Sequence, residues 1–133
     1  MSQENVEIVR LFLKRLNELD VDAALSDVAP DAELDWSGSE APDRGVFRGP
    51  AEWSKFMGGR QEGLSDTHYD AAELIDVPPD TVVLVARVRG RGRVSGVETE
   101  ALGAAVWTLR HGQITRLTLY QTRAQALKAA GLE

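Results

Sequence analysis

The sequence contains no cysteine. That absence excludes disulfides, thiolate metal sites and a cysteine nucleophile in one step. Histidine is scarce too: His68 and His111 are the only 2. They lie far apart in the chain, which is no metal-ligand spacing, so no metal is expected. No apolar run approaches the ~20 residues a membrane-spanning helix needs, so no membrane partner is expected. The amino terminus, Met1-Ser2-Gln3-Glu4-Asn5, is polar and acidic and fits no secretory signal; the expected location is cytoplasmic. Positive charge is in deficit, with 15 Lys and Arg against 21 Asp and Glu, a net charge of −6. A general nucleic-acid binder needs a positive surface that displaces counterions, so no nucleic-acid partner is expected. Internal repeats, linkers and low-complexity stretches are missing as well.

What is present fits one domain spanning residues 1–133. A chain of this length buries roughly two thirds of its unfolded surface and needs no staples. Val6, Val9, Leu13 and Leu16, widened by Ile8, Phe12 and Leu19, recur at helical spacing and predict a helix over 3–19, capped by Ser2, with Glu7 and Arg10 paired one turn apart. Asp20 to Asp22 make a break and a second cap, and Ala23, Ala24, Leu25 and Val28 form a short helix that Pro30 stops. Asp31 to Trp36 alternate, a strand with Ala32, Leu34 and Trp36 buried. Ser37 to Gly49 read as a long loop, either a lid or only a connection. Gly49-Pro50 opens a third helix carrying Trp53, Phe56 and Met57, weakened at Gly58-Gly59 and ended by Gly63. Strands follow over 68–77, 81–89, 97–109 and 114–121, with Thr122 capping a short terminal helix. Strands joined by short turns predict an antiparallel meander.

Several stretches carry a resemblance to a known family: Met1 to Arg10 (MSQENVEIVR), Pro30 to Trp36 (PDAELDW), Val46-Phe47-Arg48-Gly49, Arg87 to Gly92 (RVRGRG), Val106 to Ile114 (VWTLRHGQI) and Ala126 to Leu132 (ALKAAGL). Over essentially its whole length the chain resembles the SnoaL-like branch of the nuclear transport factor 2 superfamily. The resemblance implies an α+β, cystatin-like fold. A cone-shaped, curved, mixed but mostly antiparallel sheet carries three helices of the amino-terminal half on its concave face. It implies a pocket between sheet and helices, and a homodimer paired through the outer sheet face. It does not fix a reaction, since members include polyketide cyclases, ketosteroid isomerases, epoxide hydrolases, dehydratases and proteins of no known activity.

Ketosteroid isomerase, the sharpest template, uses an aspartate base with a tyrosine and a protonated aspartate as oxyanion donors. Those positions fall near Trp36, Phe12 and Ala105, and all three polar groups are missing, so that activity is rejected. The small face Ala101, Gly103, Ala105 leaves room beside Trp107, or else lets the first helix pack close. Leu117, Leu119 and Gln121 share a face that the family fold turns inward. The expected pocket is walled by Phe12, Trp36, Trp53, Phe56, Ala105, Trp107, Leu117 and Leu119. Its weak catalytic candidates are His68, Tyr69, Asp35 and Gln121. His68, near Asp66 and Asp70, offers an Asp–His base or only a surface group. Asp35 faces away from Leu34 and Trp36 by strand alternation unless a bulge turns it. The carboxylates Glu33, Asp35, Glu40 and Asp43 read as solvated rather than as a metal site. Arg87 and Arg89 are expected to pair with Glu98 and Glu100 across the hairpin, while Arg91 and Arg93 lie in an exposed turn. No inward aspartate pair bridged by arginine can be placed for epoxide-hydrolase chemistry. Two readings stand: a small-molecule pocket protein, if an enzyme then one doing acid–base chemistry without a cofactor on an apolar substrate; or a non-catalytic ligand-binding or dimerisation module.

Overall fold

The computed structural model describes residues 2–18, 20–38, 44–92 and 95–132. The elements run α1 (Ser2–Asn17), α2 (Val21–Ala24), a 3-10 turn (Leu25–Asp27), β1 (Val28–Asp35), β2 (Val46–Arg48), α3 (Gly49–Gly63), β3 (Leu64–Val77), β4 (Thr81–Gly92), β5 (Glu98–Arg110), β6 (Gln113–Tyr120) and α4 (Arg123–Ala129). Six strands form one open, curved sheet in the order β2-β1-β6-β5-β4-β3. Every neighbouring pair is antiparallel except β1 with β6, which run parallel. The parallel pair joins the amino-terminal strand to the end of the carboxy-terminal meander, which makes the sheet mixed as expected.

Helix α1 forms because its apolar stripe has a face to cover. Val9, Phe12 and Leu13 are buried in one cluster with Leu34, Val82, Leu84 and Trp107 from the inner face of the sheet. Glu7 and Arg10 do pair on the solvent side, at 3.6 Å. Asp20 caps α2 by accepting the Ala23 N–H at 3.0 Å. Helix α3 begins at Gly49, whose φ of +83° suits a residue without a side chain. The helix runs on through Gly58-Gly59 to Gly63.

Four boundaries differ from the sequence reading, each for a tertiary reason. Strand β3 begins at Leu64, not His68, because Leu64 and Ser65 pair with Gly92 and Arg91. Strand β1 begins at Val28, not Asp31, because Val28 pairs with Ile114. A register shift before Glu33 accommodates Pro30 inside the strand. Strand β2 was read as loop; its three residues pair with Glu33, Leu34 and Asp35, and so short an edge strand has too few positions to alternate. Strand β4 extends through Gly90 and Gly92, where pairing of Gly90 with Thr99 and of Gly92 with Leu64 outweighs the poor strand propensity of glycine.

The sheet is covered on both faces. Val83 and Ala104 point away from α1 and pack with Ala126 and Leu127 of α4. The terminal helix therefore sits on the outer face. Its capping box has Thr122 accepting the Gln125 N–H and Gln125 accepting the Thr122 N–H.

Candidate functional site

A cavity of about 180 Å³ lies between α1, α3 and the inner face of the sheet. Its position follows from alternation. Leu84, Ala86 and Val88 on β4, Gly103, Ala105 and Trp107 on β5, and Leu117 and Leu119 on β6 all line it. The helices close it with Phe12, Leu13 and Leu16 from α1 and Phe56 and Met57 from α3. The small residues Ala86, Gly103 and Ala105 sit side by side across β4 and β5, in register Ala86 with Gly103 and Leu84 with Ala105. Space opens where these short side chains leave the helices unmatched.

Aromatic rings frame the space. Phe12 meets Trp107 edge to face at 5.1 Å and 72°, and Trp36 meets Phe56 with the same spacing and angle. Phe47 from β2 lies tilted on Phe56 at 4.8 Å. Such edge contacts add fixed geometry to apolar burial. The ring of Trp107 is 2% exposed, and its indole Nε1 is buried with no hydrogen-bond partner.

Seven of the eight expected wall residues line the cavity: Phe12, Trp36, Phe56, Ala105, Trp107, Leu117 and Leu119. Trp53 does not. It is fully buried between α3 and β1, and its Nε1 donates to the Ala32 carbonyl at 3.2 Å. Helical spacing put Trp53, Phe56 and Met57 on one stripe, but Trp53 is the residue over β1 while the other two reach the cavity.

Of the polar candidates only Tyr69 lines the cavity. Asp35 points outward, where Oδ1 accepts from the Ser37 N–H and hydroxyl and Oδ2 accepts from Arg116 at 3.0 Å. These Ser37 bonds first, and the Arg116 charge second, hold its carboxyl below the ordinary value of 3.8. His68 is on the outward register beside Tyr69, 45% exposed, with Nε2 at 2.9 Å from Asp70. Asp70 also accepts from Arg89 at 3.0 Å, so the pair belongs to a surface cluster. The side chain of Asp66 lies outside the described residues. Gln121 is exposed and absent from the wall. It would continue the Leu117–Leu119 face, but β6 stops at Tyr120, and the Gln125 side chain takes the Gln121 and Thr122 N–H groups at 3.0 and 3.2 Å and turns the chain out of the sheet.

Charged residues of the β4–β5 hairpin and of β1 are paired on the outside. Arg87 reaches Glu100 at 3.1 Å, a cross-strand pair as expected, whereas Arg89 turns to Asp70, and Arg91, expected in an exposed turn, lies in β4 and reaches Glu98 at 2.6 Å. Glu33 accepts from both Arg48, at 2.6 Å, and Arg116, at 2.8 Å. Glu40, Asp43 and Arg93 lie outside the described residues. His111 occupies the exposed β5–β6 turn with φ of +54°. Among the described residues no three His, Asp or Glu side chains gather as a metal site, and no helix is long and apolar enough to cross a membrane.

Residues the sequence reading missed include Leu84, Ala86 and Val88, which alternation along β4 would have placed on the wall. Asn17 was missed too. It ends α1 and binds the backbone of Tyr69 at both N–H and C=O; nothing in its local sequence announces that contact across 52 residues.

An open curved sheet with helices packed on its inner face is the architecture of the nuclear transport factor 2-like proteins, and solved structures bear this out. An NTF2-like protein from Burkholderia xenovorans is 25% identical, with a TM-score of 0.74 over 98% of this chain and 97% of that one. A ketosteroid isomerase-like protein from Catenulispora acidiphila, in complex with trimethylamine, is 16% identical, with a TM-score of 0.76 over 96% and 94%. SalBIII, an epoxide hydrolase/cyclase-like enzyme of pyran ring formation in the polyether salinomycin, is 17% identical, with a TM-score of 0.76 over 93% and 96%. No curated protein matches the chain. The sequence model of the SnoaL-like domain matches residues 9–117, and the chain belongs to that family.

Proposed function

We propose that this protein holds a small apolar molecule in the cavity between α1, α3 and the inner sheet face, as a ligand-binding protein of the cytoplasm. The observation that carries the reading is the make-up of the wall. Apart from Trp107, Tyr69 and Tyr120, every described lining residue is an aliphatic, Phe, Met, Gly or Trp36. Tyr120 belongs by alternation to the outer face, where it packs near α4; Asp76, on the inner face opposite Val82, is not part of the cavity wall. That leaves Tyr69 as the one titratable side chain among the described inner-face residues that line the cavity. Acid–base catalysis usually needs a second group beside the first. A donor without a base favours binding over turnover.

The second reading is a cofactor-independent acid–base enzyme of isomerase, cyclase or hydrolase type. The Tyr69 phenol at the wall and the likeness to SalBIII support it. In either reading the outer sheet face is the place for a second copy of the chain, and Leu102, 61% exposed on that face, would be covered by it.

Saturation-transfer NMR with a set of neutral one- and two-ring compounds tests the pocket. Several should bind the wild type, and Ala105→Leu, which puts bulk into the wall, should weaken them tenfold or more while the protein stays folded. Silence from the whole set against the wild type overturns the reading. Conversion of a bound compound, abolished by Tyr69→Phe, would move the enzyme reading ahead. Light scattering that finds only monomer would remove the second copy.

A further inference from the structure

The pocket reading leaves open what kind of molecule fits, and one buried atom narrows it. Buried tryptophan N–H groups usually find an acceptor. Trp53 shows the usual solution, donating to the Ala32 carbonyl. Trp107 does not: it is 2% exposed, its ring forms part of the cavity wall, and its Nε1 has no partner. Its cross-strand neighbours Val82 and Leu117 bring no side-chain acceptor, and Asp76, one strand further along the same row, does not reach it, since its buried Oδ1 is itself without a partner. Phe12, packed edge to face on the indole, brings none either.

Resting on the pocket reading, we propose that the ligand itself supplies the missing acceptor: the cavity takes a neutral one- or two-ring molecule bearing a carbonyl or ether oxygen, which accepts from Trp107 Nε1. Size sets the ring count. An apolar cavity of about 150 Å³ holds benzene, whereas drug-sized ligands occupy roughly 300–1,000 Å³. At about 180 Å³ the space suits one or two rings rather than a polycycle. Charge is excluded by the wall. No Lys, Arg, His, Asp or Glu is among its described residues, so a carboxylate or ammonium would be desolvated without a counter-charge. A single oxygen is matched to a single orphan donor. Nε1 has almost no accessible surface of its own, so the acceptor reaches it through a small shift of the side chains around it.

Indanone and indane test this, since they share two rings and differ at one carbonyl. Wild-type protein should bind indanone about fivefold more tightly than indane, the scale of one net hydrogen bond. Trp107→Phe keeps a ring in the wall and removes the N–H; whatever the smaller ring does to both affinities, the preference should vanish and indanone and indane should bind equally. Equal affinities in the wild type, or a preference that survives Trp107→Phe, overturn the proposal and leave the pocket intact. Binding of neither compound overturns the proposal, and the pocket falls with it only if the whole set of one- and two-ring compounds is silent as well. Should Trp107→Phe fail to fold, the wild type decides through the indole N–H signals of its 3 tryptophans, assigned by sequential nuclear Overhauser contacts. A downfield move of the Trp107 signal with indanone and not with indane supports the bond; identical spectra with both overturn it.

Discussion

Asn17 grips the backbone of Tyr69 with both ends of its side-chain amide. Oδ1 accepts the Tyr69 N–H at 2.7 Å, and Nδ2 donates to the Tyr69 carbonyl at 2.9 Å. Tyr69 lies on β3, an edge of the sheet, paired with Val88 of β4 on one side and with no strand on the other. The amide supplies the two bonds a further strand would have made, and so fixes Tyr69 in the cavity wall. Asn17→Ala strands both partly buried backbone groups and should lower the unfolding free energy by about 1–3 kcal/mol. Asn17→Asp keeps the acceptor and loses the donor, so its loss should be smaller. Urea denaturation checks both; a midpoint unmoved by Asn17→Ala would refute the clamp.

Trp53 and Trp107 should respond oppositely to the same change. Trp53 is a strut, fully buried and bonded to the Ala32 carbonyl. Trp53→Phe leaves that carbonyl without its partner and should cost about 1–3 kcal/mol of stability. Trp53→Ala adds a cavity and should cost about 3–5 kcal/mol. Neither residue change touches the cavity wall, so in folded protein the affinity for one- and two-ring compounds should be that of the wild type. Isothermal titration below the unfolding range measures this. A tenfold weaker affinity in folded Trp53→Phe would put Trp53 back in the pocket.

Much of this architecture was legible because local signals and tertiary needs agree. Alternation on β5 and β6 put Ala105, Trp107, Leu117 and Leu119 on one face, and the cavity is there. The same alternation turned Asp35 outward, and Arg116 meets it there. Failures occurred where a contact distant in sequence decides the outcome. Gln121 obeys its strand's period on paper, yet Gln125 draws its backbone out of the sheet. Val46 to Arg48 form a strand only because β1 offers them an edge. Trp53 shares a stripe with Phe56, but the curve of the sheet gives the two residues different neighbours. The cavity's chemistry was the least legible part, since an orphan Nε1 is a property of what surrounds Trp107 and not of its spacing.

Gly49 joins β2 to α3 with φ of +83°, and a Cβ there would stand 3.1 Å from the Pro30 carbonyl oxygen. The oxygen is backbone, in a strand that cannot easily retreat. Gly49→Ala therefore meets both an unfavourable φ and a close contact, and should destabilise by about 1–3 kcal/mol. Thermal unfolding checks it, with Gly112→Ala as a comparison: that turn residue also has positive φ, at +78°, but nothing within 4 Å of its Cβ. Equal losses at the two sites would mean that the Pro30 contact contributes nothing.

Acid should unfold this protein through the outer face of its sheet. Hydrogen bonding to Arg48, then the Arg48 and Arg116 charges, holds the Glu33 carboxyl below its ordinary 4.5. Ser37 does most of the same for Asp35, with Arg116 second, and Arg123 lowers Glu73. A carboxyl whose folded value is depressed binds its proton more readily in the unfolded chain. Its stabilisation is therefore complete above the ordinary carboxylate range and is lost as pH falls through the folded value. Stability should be level with respect to these groups above about pH 5 and decline below about pH 4. The ranking of causes gives a sharper test by carboxyl NMR titration. Arg48→Gln should raise Glu33 more than it raises Asp35. Ser37→Ala should raise Asp35 and leave Glu33 near its wild-type value. Arg116→Gln, touching both through bonds of 2.8 and 3.0 Å, should raise both and make the acid decline shallower. Ser37→Ala keeps the backbone N–H that also donates to Asp35, so if Asp35 keeps its depressed value there, the hydroxyl contributes nothing and the Ser37 N–H and Arg116 hold it.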